Sequence, residues 1–354
     1  MEMKLFYSPD LIKGCIDSKE DIQMKVKPIR PEDLFNGYVG ANVAYAYQEI
    51  GLFSFLTPGY KVKPEKLAIQ TGSEFSRLIA LLKAGHAFGY IKMHDDGCVS
   101  ITEMGENLRN QIGYFTWSVG GYGNLFRNMG NLVKNDIEWS HLRDEGKVAL
   151  GADINNRSFM QHLLFDVLDN LNFTTIADLG CGNGGRLVSL CNRYPSIKGV
   201  GIDISEDAIT LANKNVSDHG LEDRIKMICT NVLDTINTDE YNDVLKEVEI
   251  VSSFMMLHDL YNIPEVWHVL FDRLREKFPN IKYLLVADTV KMPQVESLNE
   301  LPIFSVGFEL LHSYMDVNLP TKAEYNEAFT KAGLSIESCI EFGTPNTYLY
   351  LLRF

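Results

Sequence analysis

Positive charge is scarce in this chain: 33 Lys and Arg face 47 Asp and Glu, a formal net charge of -14 at pH 7. Such a surface repels a phosphate backbone and an anionic lipid headgroup, so nucleic acid and membrane are poor partners and a small ligand is expected. Long apolar runs are missing too, with no window near the ~20 residues a membrane span needs. The opening MEMKLFYSPD has no basic stretch leading into an apolar one, so a cytoplasmic location is expected. The six cysteines (Cys15, Cys98, Cys181, Cys191, Cys229, Cys339) form no CxxC pair, which argues against a zinc knuckle or a disulfide frame. Low-complexity tracts, Pro/Gly/Ser linkers and internal repeats are absent as well. What remains is an ordinary globular composition, 45% apolar and 23% charged, over 354 residues, enough for more than one domain.

The first third has helical periodicity. Apolar residues recur at helical spacing over 41–57, a second helix is expected at 64–71, and SEFSRLIALLKAGHAFGYI supplies a third, with Ser73 as N-cap and Phe75, Leu78, Ile79 and Leu82 on one face. IKMHDDGCVSIT then alternates around an Asp-Gly turn, as a hairpin does. Helices followed by a hairpin describe a winged helix. Its basic and acidic side chains nearly cancel, so the module suits dimerisation better than DNA. The expected division is 1–110 for this domain, 111–165 for a helical linker that adds to the substrate pocket, and 166–354 for a catalytic domain.

From about residue 170 short apolar runs alternate with helical segments: TTIADL, IKGVGID, RIKMIC, VEIVSSF and KYLLVAD, then LSIESCIEF and NTYLYLLRF around GTPN. This is the pattern of an α/β, Rossmann-like sheet of seven strands, parallel apart from a closing antiparallel hairpin. Within LGCGNGG, glycines at 180, 182 and 184 follow the first strand at the edge where such sheets bind ligands. Bare backbone there lets a ligand approach closely. Asp203, at the end of the next strand, stands where a carboxylate accepts hydrogen bonds from a ribose.

DLGCGNGG resembles the S-adenosylmethionine loop of class I methyltransferases rather than the GxGxxG of dinucleotide enzymes. The resemblance implies a cofactor site of Asp178, Gly180, Gly182, Asp203, Ile204, Asn231, Val232 and Asp234, with Asn231 beside the adenine and carboxylates near the positively charged sulfonium. The chain departs from the family by carrying Thr230-Asn231-Val232 where an Asp is common.

Winged helix and sheet together resemble the small-molecule O-methyltransferase superfamily, whose members dimerise through the first module. FMMLHDLYNIPEVW resembles its His-Asp motif, in which a histidine, here His258, is a general base; a neutral imidazole near pH 7 suits that task. FTWSVGGYGNLF and FELLHSYMDV narrow the resemblance to C-methyltransferases of 2-oxo acids in specialised metabolism, antibiotic biosynthesis included. That branch implies a bound iron or other divalent ion on His258, Asp259 and His312, and methylation at C3 through an enolate that the metal stabilises. Helical spacing puts His312 on a face with Phe304, Phe308 and Met315, as it would a core histidine. Asp259 could instead cap a helix near Pro264. Trp117, Tyr122 and Phe308 are the expected pocket wall, beside Tyr114 and Phe115, with Arg127 as partner to a substrate carboxylate; an aromatic core is the competing view. Two further functions stay open at this stage: a metal-free O- or N-methyltransferase with His258 as base, and a winged-helix regulator with S-adenosylmethionine as effector.

Overall fold

The computed structural model describes residues 27–134, 137–293 and 301–354. Cys15 and the opening stretch lie outside them. The first described helix, Pro31–Glu49, starts well before residue 41: Pro31 sits in its first turn, where a missing N–H is not needed, and Glu32 and Asp33 complement the helix dipole. Gly51 (φ 68°) breaks the chain, and Leu52–Phe55 forms a separate 3₁₀ turn, so the periodicity over 41–57 concealed an interruption. The helix Pro64–Thr71 falls where expected. The next, Phe75–Ala87, is capped by Glu74 rather than Ser73: the Glu74 carboxylate accepts from the N–H groups of Ser76 and Arg77, while the Ser73 hydroxyl pairs with Thr71. Phe75 is exposed, whereas Leu78 and Leu82 join Tyr47, Leu52, Leu67 and Val99 in one core. Strands β1 (Ile91–Met93) and β2 (Val99–Ile101) complete the winged helix as an antiparallel hairpin.

Seven strands form the main sheet: β3 (Thr175–Leu179), β4 (Lys198–Asp203), β5 (Ile225–Cys229), β6 (Ile250–Phe254), β7 (Tyr283–Thr289), β8 (Ser335–Glu341) and β9 (Thr347–Arg353). Their order is β5-β4-β3-β6-β7-β9-β8; β3 to β7 run parallel, and β9 runs antiparallel to both β7 and β8. The direction of winding reverses between β3 and β6. A crevice opens at the carboxyl ends of such a pair because the connecting segments leave in opposite directions. Every residue of β3 and β6 is buried, as expected for central strands covered by helices on both faces.

Between the two modules the chain stays helical and comes to the mouth of that crevice. Two single turns of π-helix, Thr116–Gly121 and Asn156–Met160, interrupt it, and both put side chains into the crevice. The helix Glu145–Asn155 crosses this region at Gly151, where an added Cβ would come within 2.7 Å of both the Gly113 carbonyl oxygen and the Trp117 nitrogen. Gly151→Ala is expected to cost about 1 to 3 kcal/mol by overpacking. Urea unfolding checks this, and an unchanged midpoint would mean the helix moves aside freely.

Candidate active site

The turn after β3 is built by three left-handed glycines, Gly180 (φ 72°), Gly182 (φ 54°) and Gly184 (φ 70°). The N–H groups of Gly180 and Cys181 donate to the Ile202 carbonyl at 2.8 and 3.1 Å, which ties the loop to β4. Asp203, ending β4, accepts from Gly182 N–H and Ser205 N–H, both at 2.9 Å, so its carboxylate stands against the glycine loop. Asn231 caps the short helix Val232–Asn237 through Leu233 N–H. Val232 is buried, whereas Ile204 and Asp234 are exposed at the carboxyl edges of β4 and β5.

Asp178 differs from expectation. It is fully buried: its Oδ2 accepts from Arg186 Nη1 at 2.5 Å and its Oδ1 from the Ser252 hydroxyl at 2.8 Å. The group that reaches the crevice is therefore Arg186, and Asp178 acts by holding it.

Across the crevice, β6 leads into the helical turn Leu257–Tyr261. His258 Nδ1 donates to Asp288 Oδ1 at 2.7 Å, and His258 N–H donates to Asp288 Oδ2 at 3.0 Å. Asp288 is buried on β7 and also accepts from the Tyr325 hydroxyl at 2.8 Å and Thr289 N–H at 2.9 Å. With its proton on Nδ1, His258 presents the Nε2 lone pair. Burial lowers its pKa, but the Asp288 carboxylate more than offsets this and the net shift is upward.

His312, from the helix Ser305–Tyr314, donates through Nδ1 to the Phe308 carbonyl at 2.7 Å and so presents its own Nε2. Burial, then the neighbouring His258, push it down to about 3, so it stays a neutral lone-pair donor. The two imidazoles stand 4.9 Å apart, centroid to centroid, at 81°. Asp259 lies inside the turn Leu257–Tyr261 rather than capping the helix at Pro264, whose N-cap is Ile263. Its carboxylate is half-exposed, 3.6 Å from His258 Nε2. Among the described residues, no three His, Cys, Asp or Glu side chains stand close enough to share a metal ion. What the fold assembles is a histidine pair with a carboxylate beside it.

Aromatic rings wall the crevice. Trp117 lies 4.5 Å from Tyr122 and 4.8 Å from Phe304, and Phe304 lies 4.9 Å from Phe308. Tyr114 belongs to this wall, but Phe115 packs into the winged-helix core instead. Phe304 (φ 73°) and Met255 (φ 56°) both line the crevice in a conformation that non-glycine residues rarely hold, so the site stores backbone strain.

Arg127 does not reach this space; it is exposed and bonds Asn124. The cation on this wall is Arg143, 5.5 Å over the Tyr122 ring, with its Nε buried and unpartnered. Sequence offers no signal for Arg143, which is carried there because Asp144 N–H bonds the Gly121 carbonyl at 2.9 Å and returns the chain to the wall. Asp288 was more legible, as a lone acidic residue near the carboxyl end of an apolar strand.

Residues 172–325 match a family model described as a methyltransferase domain. The chain is 26% identical over 312 residues to a methyltransferase, ungE', of Aspergillus campestris, covering 85% of this chain and 90% of the relative. It is 25% identical over 327 residues to an indolepyruvate C-methyltransferase of Streptomyces griseus, covering 90% and 93%. Its fold is that of human N-acetylserotonin methyltransferase solved with S-adenosylmethionine, with a TM-score of 0.63 at 18% identity over 91% of this chain and 96% of that one.

Proposed function

We infer that this chain, which belongs to the class I S-adenosylmethionine-dependent methyltransferases and acts on a small molecule, methylates C3 of a 2-oxo acid. One observation carries the finer reading: two histidines, each with Nδ1 tied down, turn their Nε2 lone pairs onto one aromatic crevice that also holds a cation. A general base needs only one such nitrogen. The similarity to an indolepyruvate C-methyltransferase supports the same substrate class.

In this reading the cofactor lies over Gly180 and Gly182, its ribose meeting Asp203, with Ile204, Asn231, Val232 and Asp234 around the adenine. Arg143 takes the substrate carboxylate, while Trp117, Tyr122 and Phe308 hold its side chain. The C3–H proton passes to solvent as the oxo acid enolises on entering the site, the electron pair left at C3 then attacks the methyl carbon, and the sulfur–methyl bond breaks with its pair going to sulfur. His258 and His312 would hold a divalent or trivalent ion such as iron, with Asp259 beside them; both histidines have the outer hydrogen bond that metal-ligating imidazoles need. When bound, that ion would act as a Lewis acid, drawing charge from the substrate's keto oxygen. The protein's own contribution is to hold C3 and the methyl carbon in contact and in line, with water kept out by the aromatic wall.

A second reading rests on the His258–Asp288 pair, which stabilises an imidazolium and so suits a metal-free O- or N-methyltransferase. Incubation with S-adenosylmethionine and a panel of 2-oxo acids (phenylpyruvate, indolepyruvate, 2-oxoisocaproate) separates the two. The expected product carries a new C3 methyl group by NMR, and Arg143→Met raises KM for the oxo acid about tenfold or more by loss of a charged hydrogen bond. Methyl transfer to hydroxyl or amine acceptors alone, with no uptake by any 2-oxo acid, would overturn the first reading in favour of the second. We further propose a homodimer formed through the winged helix, where Leu34, Phe35 and Tyr38 expose a run of apolar surface.

A further inference from the structure

Cations stand on two parts of the crevice, and only one is used by the substrate reading above. Arg186 is fixed by two partners, Asp178 holding Nη1 and the Phe254 ring 3.7 Å from the guanidinium carbon, and the side chain is only 13% exposed. Its Nε is buried without a partner, and Nη2 donates to no described residue, although the group lines the crevice beside Gly180 and Gly182. A buried donor left empty costs free energy, so a rigid guanidinium with spare N–H groups is a seat for an anion. On the same crevice Asn156, 9% exposed, leaves its Oδ1 buried and unpartnered, an acceptor waiting for a donor.

A planar cation with free donors and a separate free acceptor together match a zwitterion, and the amino-acid end of the cofactor is one. We propose that Arg186, pre-positioned by Asp178 and Phe254, binds the carboxylate of the methionyl group, and that Asn156 accepts from its ammonium. The carboxylate of the cofactor and that of the substrate are thus sorted between two arginines, Arg186 and Arg143. This explains why Asp178 is buried under an arginine rather than facing the sulfonium. The proposal rests on S-adenosylmethionine as cofactor and is independent of what is methylated.

Calorimetry on the full chain tests it with two ligands that differ only in the carboxylate: S-adenosylhomocysteine and its decarboxylated form, S-adenosyl-3-thiopropylamine. The wild type is expected to prefer S-adenosylhomocysteine by about tenfold or more, the effect of a charge-assisted hydrogen bond. Arg186→Met combined with Asp178→Asn avoids leaving a buried carboxylate unpaired; it should bring the preference to about one by weakening S-adenosylhomocysteine alone. Asn156→Leu should weaken both ligands in parallel, since both carry the ammonium, and Arg143→Met should leave the preference intact. Should the double variant fail to fold by circular dichroism, Arg186→Lys keeps the charge beside Asp178 and is still expected to cut the preference about threefold or more, because an ammonium lacks the fork. A wild-type preference near one, a preference that survives either Arg186 variant, or equal loss of both ligands in the double variant overturns the assignment. Absence of S-adenosylhomocysteine binding to the wild type would instead remove the cofactor reading itself.

Discussion

Replacing His258 with glutamine is expected to lower the rate of methyl transfer about 10²- to 10⁴-fold, through loss of a positioned proton-transfer group in the metal-free reading or of a metal ligand in the 2-oxo acid reading, while S-adenosylhomocysteine binding changes only slightly. The expectation holds for both chemical readings, because each needs the Nε2 lone pair and glutamine provides none at that position. Asp288→Asn separates position from presence. Asparagine fills the same space and still meets Tyr325, but it no longer holds the proton on Nδ1, so the ring loses its defined tautomer and its stabilising charge. Its rate should fall in the same direction as that of the His258 variant, with a somewhat lower melting temperature because one buried N–H loses its acceptor, and with S-adenosylhomocysteine binding retained as the sign that the fold survives. Single-turnover kinetics with saturating cofactor are the measurement, and a His258→Gln enzyme within a fewfold of wild type would remove this histidine from the chemistry.

The second large effect concerns the proposed metal ion. His312→Ala is expected to reduce the metal content of purified protein from near one ion per chain to trace, and to abolish methylation of the 2-oxo acid, because a lone imidazole beside a half-exposed carboxylate is a poor site. S-adenosylhomocysteine affinity, retained in the variant, shows that the fold survives; His312→Gln repeats the experiment with less lost volume. Stringent chelation of the wild type should have the same outcome, reversed by adding the ion back. If metal analysis finds none in active wild-type protein, and His312→Ala keeps most of its activity, the histidine pair is only a packed contact and the metal-free reading stands.

The glycine loop and the strand that ends in Asp203 were legible because their chemistry is local: a left-handed turn at Gly180, Gly182 and Gly184 tolerates almost no other residue, and an acidic side chain one strand later is a fixed distance along the chain. Short apolar runs likewise announced all seven strands of the main sheet. Helix limits were less legible. The break at Gly51 lay inside an unbroken apolar period, and Glu74 took the capping role from Ser73 because its longer side chain could reach two N–H groups.

Chemistry carried by one residue and its immediate neighbours was legible in the sequence alone: the left-handed glycine turn after the first strand, the parallel sheet, and His258 and His312 as histidines worth watching. Pairings between segments far apart in the chain were decided only by tertiary structure. Asp178 proved to be a counter-charge for Arg186, Asp288 the orienting group for His258, and Arg143 rather than Arg127 the cation on the aromatic wall. The physical reason is that a side chain's charge and shape are written in its own residue, whereas its partner is chosen by which strands and turns the packed core brings within hydrogen-bond reach.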